Sequence, residues 1–274
     1  MIRVVDVVKS FEGRTVLRGV SATFEKGKTN LVIGQSGSGK TVLLKSIVGL
    51  HGIDSGEIYY GDVCFSALGP KEKRVMMRDG GMLFQGGALL DTLTVADNVR
   101  FPLDMFTKQS EKEKAARVEF CLERVNLSDA GSLYPSELSG GMTKRAAIAR
   151  AIVLNPEYLF CDEPNSGLDP KTSMLIDDLI VEITKEYGIT TIINTHDMNS
   201  VMRIGETIIF LYDGKMWWKG DANSIIGSDN KELNDFVFAS SSAIARAFTQ
   251  HDSGNAHGEI ATTSVHLSQL STRK

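Results

Sequence analysis

Gly34-Gln35-Ser36-Gly37-Ser38-Gly39-Lys40-Thr41 decides the fold. These eight residues fit the pattern G-x-x-x-x-G-K-[ST] in full, and their flanks fit it as well. Lys28 to Ile33 is a short apolar run that predicts a strand. Thr41 to Leu50 predicts a helix, with Leu43, Leu44, Ile47 and Val48 on one face and Gly49 near its end. In a strand–turn–helix setting the glycines let backbone N–H groups curl around a polyphosphate without Cβ clashes, and the helix N-terminus adds its positive dipole. Lys40 is then placed to reach the β- and γ-phosphates, and the Thr41 hydroxyl to ligate Mg²⁺.

On either side of this unit the pattern continues. Val4 to Val8 reads as a strand, Lys9 to Gly13 as a turn, and Val16 to Phe24 as a second β-rich stretch. Ser110 to Arg124 predicts a charged helix and Met142 to Leu154 an alanine- and arginine-rich one, together a helical insertion. Strands return at Tyr158–Cys161, Thr190–Asn194 and Thr207–Leu211, with a helix over Met174–Tyr187. That alternation predicts a largely parallel sheet. From about Ser240 the chain holds Ser, Thr, Gly, His and Gln with little apolar periodicity, the composition of a mobile tail.

Composition bounds the class. The 274 residues carry 30 Lys+Arg against 34 Asp+Glu, a net charge of −4, with 42% hydrophobic and 23% charged residues, which suits a globular protein. No apolar run approaches the ~18–20 residues of a membrane-spanning helix. Asp6 falls where a signal peptide keeps its apolar stretch. Cys64, Cys121 and Cys161 are widely spaced and odd in number, which argues against a disulfide framework or structural zinc and fits a reducing cytoplasm. The slightly acidic balance argues against a general nucleic-acid surface.

Two further stretches carry chemistry. Tyr158-Leu159-Phe160-Cys161-Asp162-Glu163 is an apolar strand ending in two acids. Consecutive carboxylates on a buried strand are costly unless a cation and a reacting group use them. Asp162 is placed to hold Mg²⁺, and Glu163 to polarise an attacking water as general base. Leu138-Ser139-Gly140-Gly141-Met142 combines an N-cap serine with glycines at a helix start, a second anion-binding turn in one chain.

Taken together, these motifs resemble those of ABC-type ATPases. Leu138 to Met142 resembles the Leu-Ser-Gly-Gly-Gln signature, with Met142 in place of Gln. Gln85 resembles the Q-loop glutamine, 45 positions after Lys40. Ser166-Gly167-Leu168-Asp169 is similar to the D-loop. His196 resembles the switch histidine, 33 positions after Glu163, and Phe11 stands where the family stacks an aromatic on adenine. The resemblance implies an ATP- and Mg²⁺-dependent hydrolase with a P-loop core of mixed or parallel sheet, an antiparallel β subdomain and an inserted helical subdomain. It divides the chain into core residues 1–85, a helical subdomain over 86–156, core again over 157–230, and a C-terminal extension over 231–274. It implies a nucleotide contact by Gly34 to Val42, Mg²⁺ ligation by Thr41, Gln85 and Asp162, catalysis by Glu163, His196 and Gln85, and a D-loop role for Asp169. It further implies a head-to-tail homodimer in which Ser139, Gly140 and Gly141 of one chain close over the ATP of the other.

A finer likeness points to substrate. Leu83 to Leu90, Asn98 to Leu103 and the Met-ending signature resemble ATP-binding subunits of Mla/MCE-type lipid transporters. That likeness implies an integral-membrane permease partner, an MCE-domain lipid-binding protein, phospholipid transport, and a peripheral place on the cytoplasmic face of the inner membrane. Ala88 to Leu90 is then where a permease coupling helix would dock, or equally an ordinary piece of core. The alternatives are an ABC transporter ATPase for an amino acid, a metal chelate or a lipoprotein, and a non-transport ABC ATPase acting on nucleic acid. Only 99 positions without heptads separate Lys40 from Ser139, which disfavours the last of these. Trp217-Trp218 reads as a turn-adjacent hydrophobic pair in the core in preference to a partner contact, Glu113–Arg117 as an i,i+4 pair on a solvated face, and the histidines other than His196 as surface residues. The segment from Ser240 is either disordered or a clasp on the neighbouring ATPase.

Overall fold

A computed structural model describes residues 1–225 and 227–238. In chain order they form strands β1 (Ile2–Phe11), β2 (Arg14–Phe24) and β3 (Thr29–Ile33), helix α1 (Lys40–Val48), strands β4 (Ser55–Tyr60) and β5 (Val63–Cys64), helix α2 (Pro70–Met77) and strand β6 (Gly80–Leu83). Helices α3 (Val95–Phe106), α4 (Glu111–Arg124) and α5 (Gly140–Ile152) follow. Then come β7 (Tyr158–Asp162), α6 (Pro170–Tyr187), β8 (Thr190–Asn194), α7 (Met198–Ile204), the hairpin β9 (Thr207–Tyr212) and β10 (Lys215–Gly220), and α8 (Ala222–Ile225). A last helical segment covers residues 231–238.

The strands make a six-stranded sheet in the order β10-β9-β3-β8-β7-β6 and a four-stranded sheet in the order β2-β1-β4-β5. The first is parallel except at the β9–β10 hairpin, and the second is antiparallel throughout. The expected fold is therefore the one observed: a P-loop α/β core with a mixed sheet and a separate antiparallel sheet.

Alternation of side chains explains the layering. Leu31, Ile33, Leu159, Cys161, Ile193 and Phe210 point to one face and join apolar residues of α3, α4, α5 and α6. Val32, Phe160, Ile192, Ile209 and Leu211 point to the other and meet α1 and the antiparallel sheet. Strands buried on both faces carry consecutive apolar residues, Leu31, Val32 and Ile33 on β3 and Ile192 and Ile193 on β8, which is why they were legible. Helix ends match their signals: Ser110 caps α4 in a capping box with Glu113, and Gly49 closes α1 in the left-handed conformation.

Two expectations fail. On the edge strand β10, Trp218 packs against the core as expected, but its neighbour Trp217 does not. Trp217 is 43% exposed and donates from Nε1 to Glu232 Oε2 at 3.0 Å. Arg117 does not pair with Glu113. It reaches across to the end of α5, donating to the carbonyls of Ile152 (2.8 Å) and Val153 (2.9 Å), while Glu113 turns back to Ser110. Satisfying the free carbonyls at a helix C-terminus outcompetes an exposed i,i+4 pair. The segment from Ser240, expected to be a tail or a clasp, lies outside the described residues.

Candidate active site

Parallel pairing assembles the site. Leu83 pairs with Cys161, and Asp162 and Val32 both stand opposite Asn194. The C-terminal ends of β3, β6, β7 and β8 therefore open on one edge, where α/β sheets bind ligands. A cavity of about 880 Å³ occupies that edge, lined by residues of the glycine turn together with Gln85, Glu163 and His196.

Glycine is required at the turn itself. Gly34 has φ 149°, and a Cβ there would lie 2.3 Å from the Leu211 carbonyl oxygen. Lys40 is buried, and its Nζ donates to the carbonyls of Gly34 (2.8 Å) and Gln35 (3.2 Å). Burial pushes its pKa down, and the charges of Glu163 and Asp162 pull it back. Thr41 Oγ1 and Asn194 Nδ2 both donate to Oδ1 of the buried Asp162, each at 3.1 Å. Ser38 Oγ and Asn194 Oδ1 are buried without a hydrogen-bond partner.

Glu163 follows with a left-handed backbone, φ 50°. For a residue with a side chain this costs about 1–3 kcal/mol and persists only where the surroundings fix it. Its N–H donates to Asn194 O at 3.0 Å, and its own carbonyl accepts from Ser166 N at 3.2 Å. The carboxylate Oε2 lies 2.8 Å from His196 Nδ1. Gln85 Nε2 donates to Ser166 Oγ at 3.4 Å. A carboxylate oriented by an imidazole, beside a loop shaped for phosphate, can take a proton from water.

The second anion turn lies elsewhere. Ser139, Gly140 and Gly141 face a hollow of about 700 Å³ between α5 and α6, shared with Asp169. Ser139 caps α5 by accepting from Met142 N (3.3 Å), and Asp169 caps α6 by accepting from Thr172 N (3.0 Å). Within one chain this turn does not meet the phosphate loop. Phe11 is also set apart: its ring stands edge-on to His51, with centroids 5.3 Å apart, while Arg14, Thr15 and Val16 of β2 line the cavity wall. Val42 lines the cavity with the phosphate loop.

Ala88 has a left-handed φ of 48°, and Leu90 is 41% exposed. Both border a groove of about 310 Å³ with Phe101 and Phe106. Arg150 of α5 fixes this loop through the carbonyls of Gly87 (2.8 Å) and Ala88 (2.7 Å). Asn98, singled out in sequence, is fully buried and binds both the N–H and the carbonyl of Leu90.

Sequence reasoning missed four residues here. Asn194 partners Asp162, and Lys144 meets the carbonyls of Gln85 and Glu163. Gly214 forms the tight β9–β10 turn with Asp213, both at positive φ, and the Asp-Gly pair was its visible signal. Phe236 packs on Phe210 and reaches the cavity, and no local pattern announced it.

Comparison with known proteins gives concordant results. The family model described as ABC transporter matches residues 17–166. The methionine import ATP-binding protein MetN of Campylobacter jejuni is 36% identical over 253 residues, covering 86% of this chain and 75% of that protein. The chloroplastic protein TRIGALACTOSYLDIACYLGLYCEROL 3 of Arabidopsis thaliana is 37% identical over 251 residues, covering 86% and 72%. The dimeric ATP-binding cassette MJ0796, bound to ADP and Pi, superposes with a TM-score of 0.75 at 32% identity, covering 81% of this chain and 99% of that one.

Proposed function

This chain belongs to the ABC transporter family, as an ATP-binding subunit that hydrolyses ATP, and from that premise we propose that it drives import of an amino acid through a separate membrane permease. The observation that carries the motor reading is the single cavity uniting the phosphate loop with Gln85, Glu163 and His196, while the Ser139 turn faces another hollow. A nucleotide closed between two copies uses both surfaces. The dimeric MJ0796 cassette supports that arrangement.

In this reading the phosphate loop from Gly34 to Val42 holds the ATP phosphates, with Lys40 releasing its loop carbonyls to meet them. Phe11 turns from His51 toward adenine. Thr41, Gln85 and Asp162 offer the oxygen donors that suit Mg²⁺, and Thr41 and Asp162 already lie within hydrogen-bond distance of each other. Bound there, Mg²⁺ neutralises charge on the phosphates. Glu163 takes the proton of the attacking water and His196 holds its carboxylate in place. Ser139, Gly140 and Gly141 contact the partner's ATP, and Asp169 sits at the dimer axis. Residues 86–156 act as a helical subdomain between the core parts 1–85 and 157–230, ahead of the 231–274 extension.

None of the helices among the described residues is long and apolar enough to cross a membrane. A permease seated in the groove beside Leu90 and Phe101 holds the chain at the cytoplasmic face of the cell membrane. Methionine import proteins from several bacteria, 36–39% identical, support the amino-acid substrate. Lipid transport, with an MCE-domain partner, is a second reading. It is supported by the Leu83–Leu90 and Asn98–Leu103 stretches and by a plant relative named for a galactolipid.

The test is isolation of the complex from native membranes, reconstitution into proteoliposomes, and ATP-driven uptake of labelled methionine beside transfer of labelled phospholipid. Methionine uptake supports the first reading. Phospholipid movement, with an MCE-domain protein recovered by mass spectrometry, replaces it with the second. Movement of neither overturns both.

A further inference from the structure

The amine of Lys144 is buried without a carboxylate in ion-pair contact. The residue is 4% exposed, on the second turn of α5, and none of the ion pairs among the described residues includes it. Its Nζ donates to the Gln85 carbonyl oxygen and reaches the Glu163 carbonyl oxygen at 3.4 Å. Burial pushes its pKa down, against the pull of Cys161, Glu163 and Asp162. Taking an ammonium out of water to meet two neutral carbonyls is unfavourable, and an apolar chain of the same length would fill the space more cheaply. A stability argument therefore does not account for a lysine here.

The two carbonyls identify what it does. They belong to the residues whose side chains converge in the cavity, Gln85 on Ser166 and Glu163 on His196. Glu163 also has a left-handed backbone, so holding its carbonyl helps hold the strained backbone that carries its carboxylate. Lys144 adds a side-chain tether to the backbone bonds that Glu163 makes with Ser166 and Asn194. It is the tether that comes from α5, the helix begun by the Ser139 turn.

We propose that Lys144 is a positioning residue for ATP hydrolysis, holding the Gln85 and Glu163 carbonyls to α5 so that the Gln85 amide and the Glu163 carboxylate meet the same nucleotide. The proposal rests on the ATPase reading above. Its effect falls on the chemical step: the hydrogen bonds of Lys144 go to Gln85 and Glu163 rather than to the phosphate loop, so the loop's hold on ATP is expected to survive its loss.

The experiment compares the full chain with Lys144→Met, Lys144→Gln and Lys144→Arg in steady-state phosphate release, fluorescent ATP-analogue binding and thermal melting. Met is expected to leave the analogue Kd and the KM for ATP within about 2-fold while kcat falls ~10–100-fold, the scale of a misplaced catalytic group. Arg, which can donate to both carbonyls, is expected to restore kcat to within about 5-fold of the wild type. If the Met chain does not melt cooperatively, the Gln chain takes its place under the same criteria. A kcat within 2-fold of wild type, a KM rise that matches the kcat loss, or an Arg variant as slow as Met overturns the proposal while leaving the ATPase reading intact. A wild-type chain that releases no phosphate overturns the ATPase reading, and the proposal with it.

Discussion

Glu163 Oε2 and His196 Nδ1 lie 2.8 Å apart, joining the end of β7 to the residue two positions beyond the end of β8. The pairing is possible because adjacent parallel strands finish at the same level. It leaves the carboxylate largely buried and the imidazole facing the cavity.

From that geometry, Glu163→Gln is expected to bind ATP and turn it over at least ~100-fold more slowly, the scale of losing a general base. Equilibrium ATP binding and steady-state phosphate release measure the two halves. Near-wild-type hydrolysis would remove Glu163 from the role.

Ser139→Arg places a long cation on the turn that faces the α5–α6 hollow, away from the chain's own phosphate loop. Loss of ATP-driven dimers with single-chain nucleotide binding preserved is the expected result. Analytical ultracentrifugation with ATP reads it, and unaltered dimers would contradict the trans contact.

Gly214 and Gly13 have similar positive φ values, 72° and 80°. A Cβ on Gly214 would lie 2.1 Å from the Val16 carbonyl oxygen, whereas Gly13 has open space. Gly214→Ala is expected to cost about 2 kcal/mol or more, conformational strain plus overpacking, and Gly13→Ala about 1 kcal/mol from strain alone. Thermal melting separates them, since about 1 kcal/mol moves Tm by roughly 2–4 °C at this size. Equal losses would discount the contact.

Thiol reactivity follows burial. Cys121 is buried and pushed up to about 11, and burial pushes Cys161 up further, while Cys64 is half-buried. Ellman's reagent at pH 8 is expected to titrate one thiol quickly in the folded chain and all three after denaturation. Fast reaction of two or more native thiols would contradict the packing around β7 or α4.

The glycine turn, the acidic strand end and the Ser139 cap were legible because each is a local pattern with a local physical cause. Strands such as Tyr158–Asp162 were legible because burial on both faces makes Leu159, Phe160 and Cys161 a consecutive apolar run. Lys144 was not, since its partners Gln85 and Glu163 are 59 and 19 positions away and no spacing rule connects them. Arg117 failed for a related reason: helical spacing suggested Glu113, and the tertiary fold supplied stronger acceptors at the end of α5. Trp217 misled because hydrophobicity does not distinguish an edge strand from a central one, while Trp218 beside it packs on the core. The substrate was the least legible of all, for the motifs read here describe the nucleotide site alone.

Helix α5 spans thirteen residues, about 20 Å at 1.5 Å per residue. Ser139 caps one end, and near the other Arg150 grips the carbonyls of Gly87 and Ala88 beside the apolar groove. A rod of that length with no interior proline or late glycine does not stretch, so displacement at one tip is delivered undiminished to the other. The groove thus has a fixed geometric phase relative to the serine turn. In the proposed dimer, two such rods would join each nucleotide to its groove with hardly any backlash.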